Sequence, residues 1–418
     1  MSLAVSDVRE LVSHPEYLER ASELSLDDGS LLADLAILKT ECGEVSRAVV
    51  EVVKARRGVA GKLPQWWVHH ALLSSDAAQQ STPYAVAWLR AQRLAGHFGG
   101  GPAELNAVGV HDVTCSIGTE VAALMETGLD VVGSDLDEAR VLMARHNVPG
   151  ATFAVADALQ PMAMPESLVG EDKRIIVADP ARRASGRRLA KPEDLLPPLP
   201  DLVSAWEGHD MAIKCAPGLD FSEWDGEVAV TSVDGGVKEA CLYTPRLALD
   251  GLTGGRARRS AWILKDVSAD GVAASITRYD DTMDDDCGSG AAGRFIIDPD
   301  GAVVRAGLVR HFATKHGLWQ LDERIAHVTG DALPAGVSGF EVLEQVSLKQ
   351  VRKALAARGC TSVEILVRGV DVNPDVLRKQ WKLKSKGSSR NSQSSLAVVI
   401  TRIGKTATAF ICDSRQWG

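Results

Sequence analysis

No run of about 18 uninterrupted apolar residues occurs, so a membrane-spanning helix is not expected. The opening residues, MSLAVSDVRELVSH, carry Asp7 and Glu10 early and no long apolar stretch, which excludes a secretory signal peptide there. The seven cysteines, at 42, 115, 215, 241, 287, 360 and 412, are odd in number and never form CxxC. That argues against a disulfide framework or a zinc site and predicts a reduced, cytoplasmic protein. Basic charge is not in excess: 46 Lys and Arg against 55 Asp and Glu leave a net charge of −9, which does not suggest a general polyanion binder. No internal repeat is visible, and the turn from Cys115 to Thr119 lacks the full GxGxxG set.

What is present is a rhythm. Asp112, Asp135, Asp157 and Asp179 each end or border a short apolar run, at spacings of 23, 22 and 22 residues. One strand, one helix and two turns fill such an interval. The pattern therefore predicts a parallel sheet with polar groups aligned along one edge, where open α/β folds bind ligands. The first run ends in Asp112-Val113-Thr114-Cys115-Ser116-Ile117-Gly118-Thr119. Val121, Leu124 and Met125 then fall at helical spacing. A small-residue turn before a helix brings a ligand close to free backbone N–H groups. Ala139, Leu142, Met143 and His146 mark the next helix face.

An acid about 20 residues after such a turn is placed to accept hydrogen bonds from ribose hydroxyls, which fits Asp135. Asp157, before Ala158 at the end of the third run, is able to accept a hydrogen bond from an exocyclic amine such as that of adenine. Ser116 replaces the middle glycine of a dinucleotide turn, so a pyrophosphate would be cramped. An adenosyl ligand lacking one fits better, which favours S-adenosylmethionine over NAD.

At these residues the chain resembles the class I S-adenosylmethionine-dependent methyltransferases. Asp112 to Glu120 is similar to the DxxCGxGTD form of their first motif, Asp135 matches the ribose-binding acid and Asp157 the adenine-side acid. Asp179-Pro180 matches the start of the fourth motif, which faces the substrate. The segment Gln79 to Phe98, the DPARR run and a C-terminal part with VLEQVSLKQVRKALAARG resemble a bacterial methyltransferase group with a THUMP-like C-terminal domain. The resemblance implies a Rossmann-like seven-stranded α/β sheet, preceded by a helical N-terminal domain and followed by a small α/β THUMP-like domain. It implies S-adenosyl-L-methionine as cofactor, bound by Thr82, Asp112, Thr114, Cys115, Ser116, Gly118, Thr119, Asp135, Leu136, Asp157 and Ala158. Asp179, Pro180 and Arg182 are the candidate catalytic residues. THUMP domains in better-known enzymes hold RNA, so an RNA substrate, a tRNA or rRNA base, is implied. The fourth motif departs from Asp/Asn-Pro-Pro-aromatic, with Ala181 and Arg182 in its last two places. The cysteine pair of some uracil-C5 methyltransferases is not evident.

The expected domains are a helical N-terminal domain over 1–98, the methyltransferase core over 99–255, a β-rich connecting segment over 256–326 and the THUMP-like module over 327–418. Gly99 to Pro102 reads as a linker, and Thr82 as the cap of a helix opened by Pro83. A helix is expected over Asp194–Trp206, a hairpin around Asp234-Gly235-Gly236, and a strand over Val303–Val309. Trp66-Trp67 reads as packing, His69-His70 as caps or solvent-facing, and the DDTMDDDC run from Asp280 to Cys287 as a surface loop; no metal site is expected. Arg378 to Arg390 holds six basic residues and no acid, and Arg182 to Lys191 five and none; such patches suit RNA phosphates as well as they suit a solvated loop. Other readings stay open: methylation of a protein or small molecule, an RNA-binding protein with a degenerate core, and an NAD-dependent dehydrogenase, disfavoured by the incomplete GxGxxG of the first strand–helix turn.

Overall fold

The computed structural model describes residues 3–97, 109–161, 174–181, 183–184, 187–188, 191–381 and 394–418. Arg182 and most of Arg378–Arg390, together with the Gly99–Pro102 linker, lie outside the described residues. The chain divides into two compact units: residues 1–249 with 262–278, and residues 250–261 with 279–418. None of the described helices is long and apolar enough to cross a membrane.

The first unit opens with seven helices: α1 (Val5–Ser13), α2 (Glu16–Ser22), α3 (Leu31–Cys42), α4 (Ser46–Gly58), α5 (Gln65–His70), α6 (Ser75–Gln80) and α7 (Tyr84–His97). In α4 the apolar spacing buries Val49, Val52 and Val53, and these residues share one core cluster with the first strands of the sheet. Helix α7 begins at Tyr84: the Pro83 carbonyl accepts the first-turn N–H groups of Val86 and Ala87. Pro83 thus stands at the cap, one residue later than expected.

The sheet strands are β1 (Gly109–Asp112), β2 (Asp130–Asp135), β3 (Thr152–Val155), β4 (Arg174–Ala178), β5 (Asp210–Cys215), β6 (Glu227–Val233), β7 (Gly236–Tyr243), β8 (Arg259–Val267) and β9 (Ala273–Asp280). Their order is β9-β8-β6-β7-β5-β4-β1-β2-β3. The strands β1 to β5 are parallel, and β7 runs antiparallel between β5 and β6. This is the expected seven-stranded arrangement, extended at the β6 edge by β8 and β9. Helices α8 (Thr119–Glu126) and α9 (Glu138–Asn147) follow β1 and β2. Asp137 caps α9 by accepting from the N–H of Ala139 at 2.9 Å. The buried face of α9 takes in Ala139, Met143 and Asn147, while His146 is exposed. The hairpin joining β6 and β7 turns through Asp234 and Gly235, both left-handed at φ +48° and +78°, the conformation a two-residue hairpin turn of type I′ requires.

Two expectations are corrected. Only the second half of Asp194–Trp206 is α-helical, as α10 (Leu199–Ala205); Pro197 and Pro198 interrupt the pattern before it. Residues 303–309 form no strand: Asp300 accepts from the N–H of Ala302 at 2.8 Å and starts helix α11 (Gly301–Arg305), with α12 (Val309–Lys315) next. The cap overrides the β-branched pair Val303-Val304.

The second unit holds an eight-stranded sheet of β10 (Phe295–Ile297), β11 (Trp319–Gln320), β12 (Val328–Gly330), β13 (Ser338–Ser347), β14 (Cys360–Arg368), β15 (Ser394–Ile403), β16 (Thr406–Asp413) and β17 (Gln416–Trp417). The order is β11-β12-β10-β13-β16-β15-β14, with β17 on β13. Alternate residues of β15 feed two cores. Val398 and Ile400 pack with Leu355 of α13 (Val351–Ala357) and Trp381 of α14 (Pro374–Trp381); Ala397 and Val399 pack with Phe340 and Phe410.

Candidate active site

Strand order reverses between β1 and β4, so the ends of these strands open a crevice at the switch point of the parallel sheet. Asp112 closes β1, and its Oδ1 accepts from the N–H of Thr114 at 3.1 Å. The Thr114 hydroxyl accepts in turn from the N–H of Asp179, at 2.6 Å, and so ties the end of β4 to the turn after β1. Ser116 is left-handed at φ +50°, and its N–H donates to Asp135 Oδ2 at 3.0 Å. Asp135 Oδ1 accepts from the N–H of Asp137 at 3.0 Å, and the Asp135 carbonyl accepts from Ala156 at 3.1 Å. Gly118, at φ +89°, packs so closely that a Cβ there would lie 2.9 Å from Val148 Cγ2. Asn147 fastens the turn to the N-terminal helical segment: its amide bonds the Leu72 N–H and carbonyl at 2.7 and 2.9 Å and the Ile117 carbonyl at 3.0 Å.

Behind the crevice lies a chain of buried ion pairs. Lys214, on β5, sets its Nζ 2.8 Å from Asp179 Oδ2 and 3.4 Å from Glu120 Oε2. Glu120, in the first turn of α8, accepts from Arg90 Nε and Nη2 at 2.7 and 3.2 Å. Arg90, on α7, also grips Glu239 of β7. One turn along α7, Arg93 pairs with Glu227 at 2.6 Å and stacks 3.4 Å from the centre of the Tyr243 ring.

Burial sets the protonation of these groups. Asp112 is pushed up to about 7 by burial and by the nearby Glu120, against the pull of Lys214 and the Thr114 N–H. Burial also raises Asp135, partly offset by its backbone hydrogen bonds. Burial opposes charge on Lys214, but the Asp179 and Glu120 carboxylates outweigh it and hold the ammonium protonated. Glu120 is lowered likewise, because Arg90 and Lys214 exceed the burial penalty. The Cys115 thiol is raised by burial and by Asp112, so it is no thiolate nucleophile.

Of the residues singled out in the sequence, Asp112, Thr114, Ser116, Asp135 and Asp179 are joined by hydrogen bonds along the strand ends. Cys115, Gly118 and Thr119 are buried in the same turn, and Pro180 is buried behind Asp179. Leu136 is 73% exposed. Asp157 sits one turn further, accepting from the Leu159 N–H at 2.9 Å, while Trp206 Nε1 donates to the Ala158 carbonyl at 2.8 Å. Thr82 is buried, and no hydrogen bond among the described residues joins it to the strand ends. Sequence reading missed Arg90 and the pairing of Glu120 and Lys214. A signal existed: Ala87, Arg90, Ala91 and Leu94 share one helix face, and a charge within an apolar stripe needs a buried partner. No group of His, Cys, Asp and Glu able to hold a metal is found among the described residues.

A family model described as THUMP domain-like matches residues 337–414. An uncharacterized S-adenosylmethionine-dependent methyltransferase of Mycobacterium tuberculosis, in two strains, is 43% identical over 394 residues, which spans 90% of this chain and 99% of that protein. The structure of a candidate methyltransferase from Porphyromonas gingivalis W83 aligns at a TM-score of 0.65 with 16% identity, covering 99% of each chain; that likeness shows a common fold.

Proposed function

Because the chain belongs to the S-adenosylmethionine-dependent methyltransferases, we propose that it methylates a base of tRNA or rRNA in the cytoplasm. The observation that carries the RNA reading is the THUMP-like module at 337–414. Arg378 and Lys379 on α14 begin the basic stretch Arg378–Arg390 within that span, which suits phosphate contact. That all seven cysteines are free and buried supports a reduced compartment.

The donor set at the strand ends fits the cofactor. Each Asp135 oxygen accepts one backbone N–H and keeps a further lone pair for a ribose hydroxyl. Asp157 offers an acceptor for the adenine amine, with Leu136 and Ala158 as apolar contacts for the ring. The turn from Thr114 to Thr119 lets the ligand approach the backbone closely, and the motif resemblance adds Thr82 to the same set. When bound, the cofactor supplies a methyl group already activated on sulfonium, so the chain's task is alignment and exclusion of water. Asp179 accepts a hydrogen bond from the methyl acceptor or takes its proton, and Lys214 holds that carboxylate in place. Pro180 stiffens the loop, and Arg182 grips a substrate phosphate.

Incubation with methyl-labelled S-adenosylmethionine and total RNA from cells lacking the protein tests this reading. Label is expected in one tRNA or rRNA nucleotide. Asp179→Ala should lower turnover by about 10²–10⁴-fold with cofactor affinity nearly unchanged. Label entering protein or a small molecule but not RNA would overturn the RNA assignment, and undiminished turnover in the variant would overturn the role of Asp179.

A further inference from the structure

Asp112 has an unusual position within the buried charges. It is 3% exposed, and its carboxylate accepts one hydrogen bond, from the Thr114 N–H. The charges of Glu120 on α8, Asp179 after β4 and Lys214 on β5 act on it, and its own acts on the Cys115 thiol. The two nearby cations are committed elsewhere: Lys214 to Asp179 and Glu120, Arg90 to Glu120 and Glu239. No cation among the described residues stands within ion-pair distance of Asp112. A buried carboxylate with one hydrogen bond and no counter-ion is costly, and a positive charge brought by a ligand relieves that cost.

The methyl donor brings such charge. It carries a sulfonium and an α-ammonium against one carboxylate, whereas the spent product keeps the ammonium and has a neutral thioether. On the reading above, that the cofactor lies across the ends of β1 and β2, both positive centres enter the field of this cluster. We propose that Asp112 is a specificity-determining residue that makes the site favour the cationic donor over its neutral product, with donor binding coupled to release of a proton from Asp112 to solvent. The coupling has a definite sign. With Asp112 held up to about 7, part of the free protein carries it protonated at neutral pH. The arriving cation favours the ionised form, so donor affinity rises with pH through that range. Product formation removes the sulfonium charge and weakens the same attraction, which assists exchange of product for fresh donor.

Calorimetric titration of the full chain with S-adenosylmethionine and with S-adenosylhomocysteine tests this without a methyl acceptor. Titrations in two buffers of different ionisation enthalpy count the protons. Donor affinity is expected to fall about tenfold from about pH 8 to about pH 6, with up to one proton released on binding at the lower pH. Asp112→Asn should flatten that dependence and shift the donor-to-product affinity ratio toward product by roughly tenfold. An unchanged ratio, or a pH slope that persists in a folded Asp112→Asn chain, would overturn the proposal. Should that variant not fold, the wild-type proton count decides, and binding without proton release at about pH 6 overturns it. Asp135→Ala serves as the separate control. If it binds donor as well as the wild type, the placement of the cofactor has failed; if it loses binding while Asp112→Asn behaves as wild type, only the role of Asp112 has failed.

Discussion

In the unit that carries the strand-edge site, Arg90, Arg93, Lys214, Glu120, Glu227 and Glu239 pair with one another through side chains between 0% and 6% exposed. In the C-terminal unit, the pairs Arg294–Glu341, Arg358–Glu344 and Arg415–Glu364 keep at least 30% of every side chain in water. There the two cores are built on Val398, Ile400, Phe340 and Phe410 and their neighbours, with Asp280 and His327 also buried. The second arrangement is the ordinary way to build a stable module. Buried ion pairs add little stability over apolar residues of the same size, because desolvation cancels most of the attraction. Net stability alone therefore does not account for the charges retained in the interior of the first unit.

Substitutions sharpen that contrast. Arg90→Met removes the cation shared by Glu120 and Glu239 and leaves two buried carboxylates short of a partner. A loss of about 3–5 kcal/mol is expected in urea unfolding. A loss below about 1 kcal/mol would mean that these carboxylates reach water, and the contrast between the units would collapse. Asp112→Asn is expected to act in the opposite direction. The Asp112 carboxyl is held at about 7 when folded, above its ordinary range in the unfolded chain. Its contribution to stability is thus whole at acid pH and is lost as pH rises from about 4 to about 7. The neutral amide escapes that loss, so the variant should be more stable than wild type by on the order of 4 kcal/mol at about pH 8, with the difference vanishing near pH 4 in paired melts. A less stable variant at pH 8 would show that Asp112 is already compensated in the free protein. The smallest change is expected from Glu364→Ala, which breaks an exposed pair: under about 1 kcal/mol, and less again in high salt.

The parallel core was legible because it repeats a local signal. Asp112, Asp135, Asp157 and Asp179 mark strand ends, and Asp234-Gly235 marks a hairpin whose left-handed backbone those residues tolerate. Pairing across distance was not legible. Arg90 lies 30 residues from Glu120 and 149 from Glu239, and no periodicity within one helix specifies either partner. Local signals also compete. At 303–309 the valines suggest a strand, but the Asp300 cap satisfies a free N–H and favours helix. On α9, helical spacing set His146 on the face of Ala139, Leu142 and Met143, yet His146 is exposed and Asn147 is buried, because its amide matches a backbone N–H and two carbonyls at once.

Asn147 has a consequence for how this enzyme can be dissected. Its side chain acts as a detached peptide group, closing a bridge between Leu72 and Ile117 that the main chain alone does not make. Together with Arg90, it makes the N-terminal helices part of the catalytic domain's own scaffold. A fragment begun at the first strand would keep the cofactor motif from Asp112 to Ala158, yet it would lose Thr82, the Leu72 anchor of Asn147 and the guanidinium that neutralises Glu120. The minimal enzyme is therefore longer than the minimal motif, and a graft of this site onto another sheet must carry the helices with it.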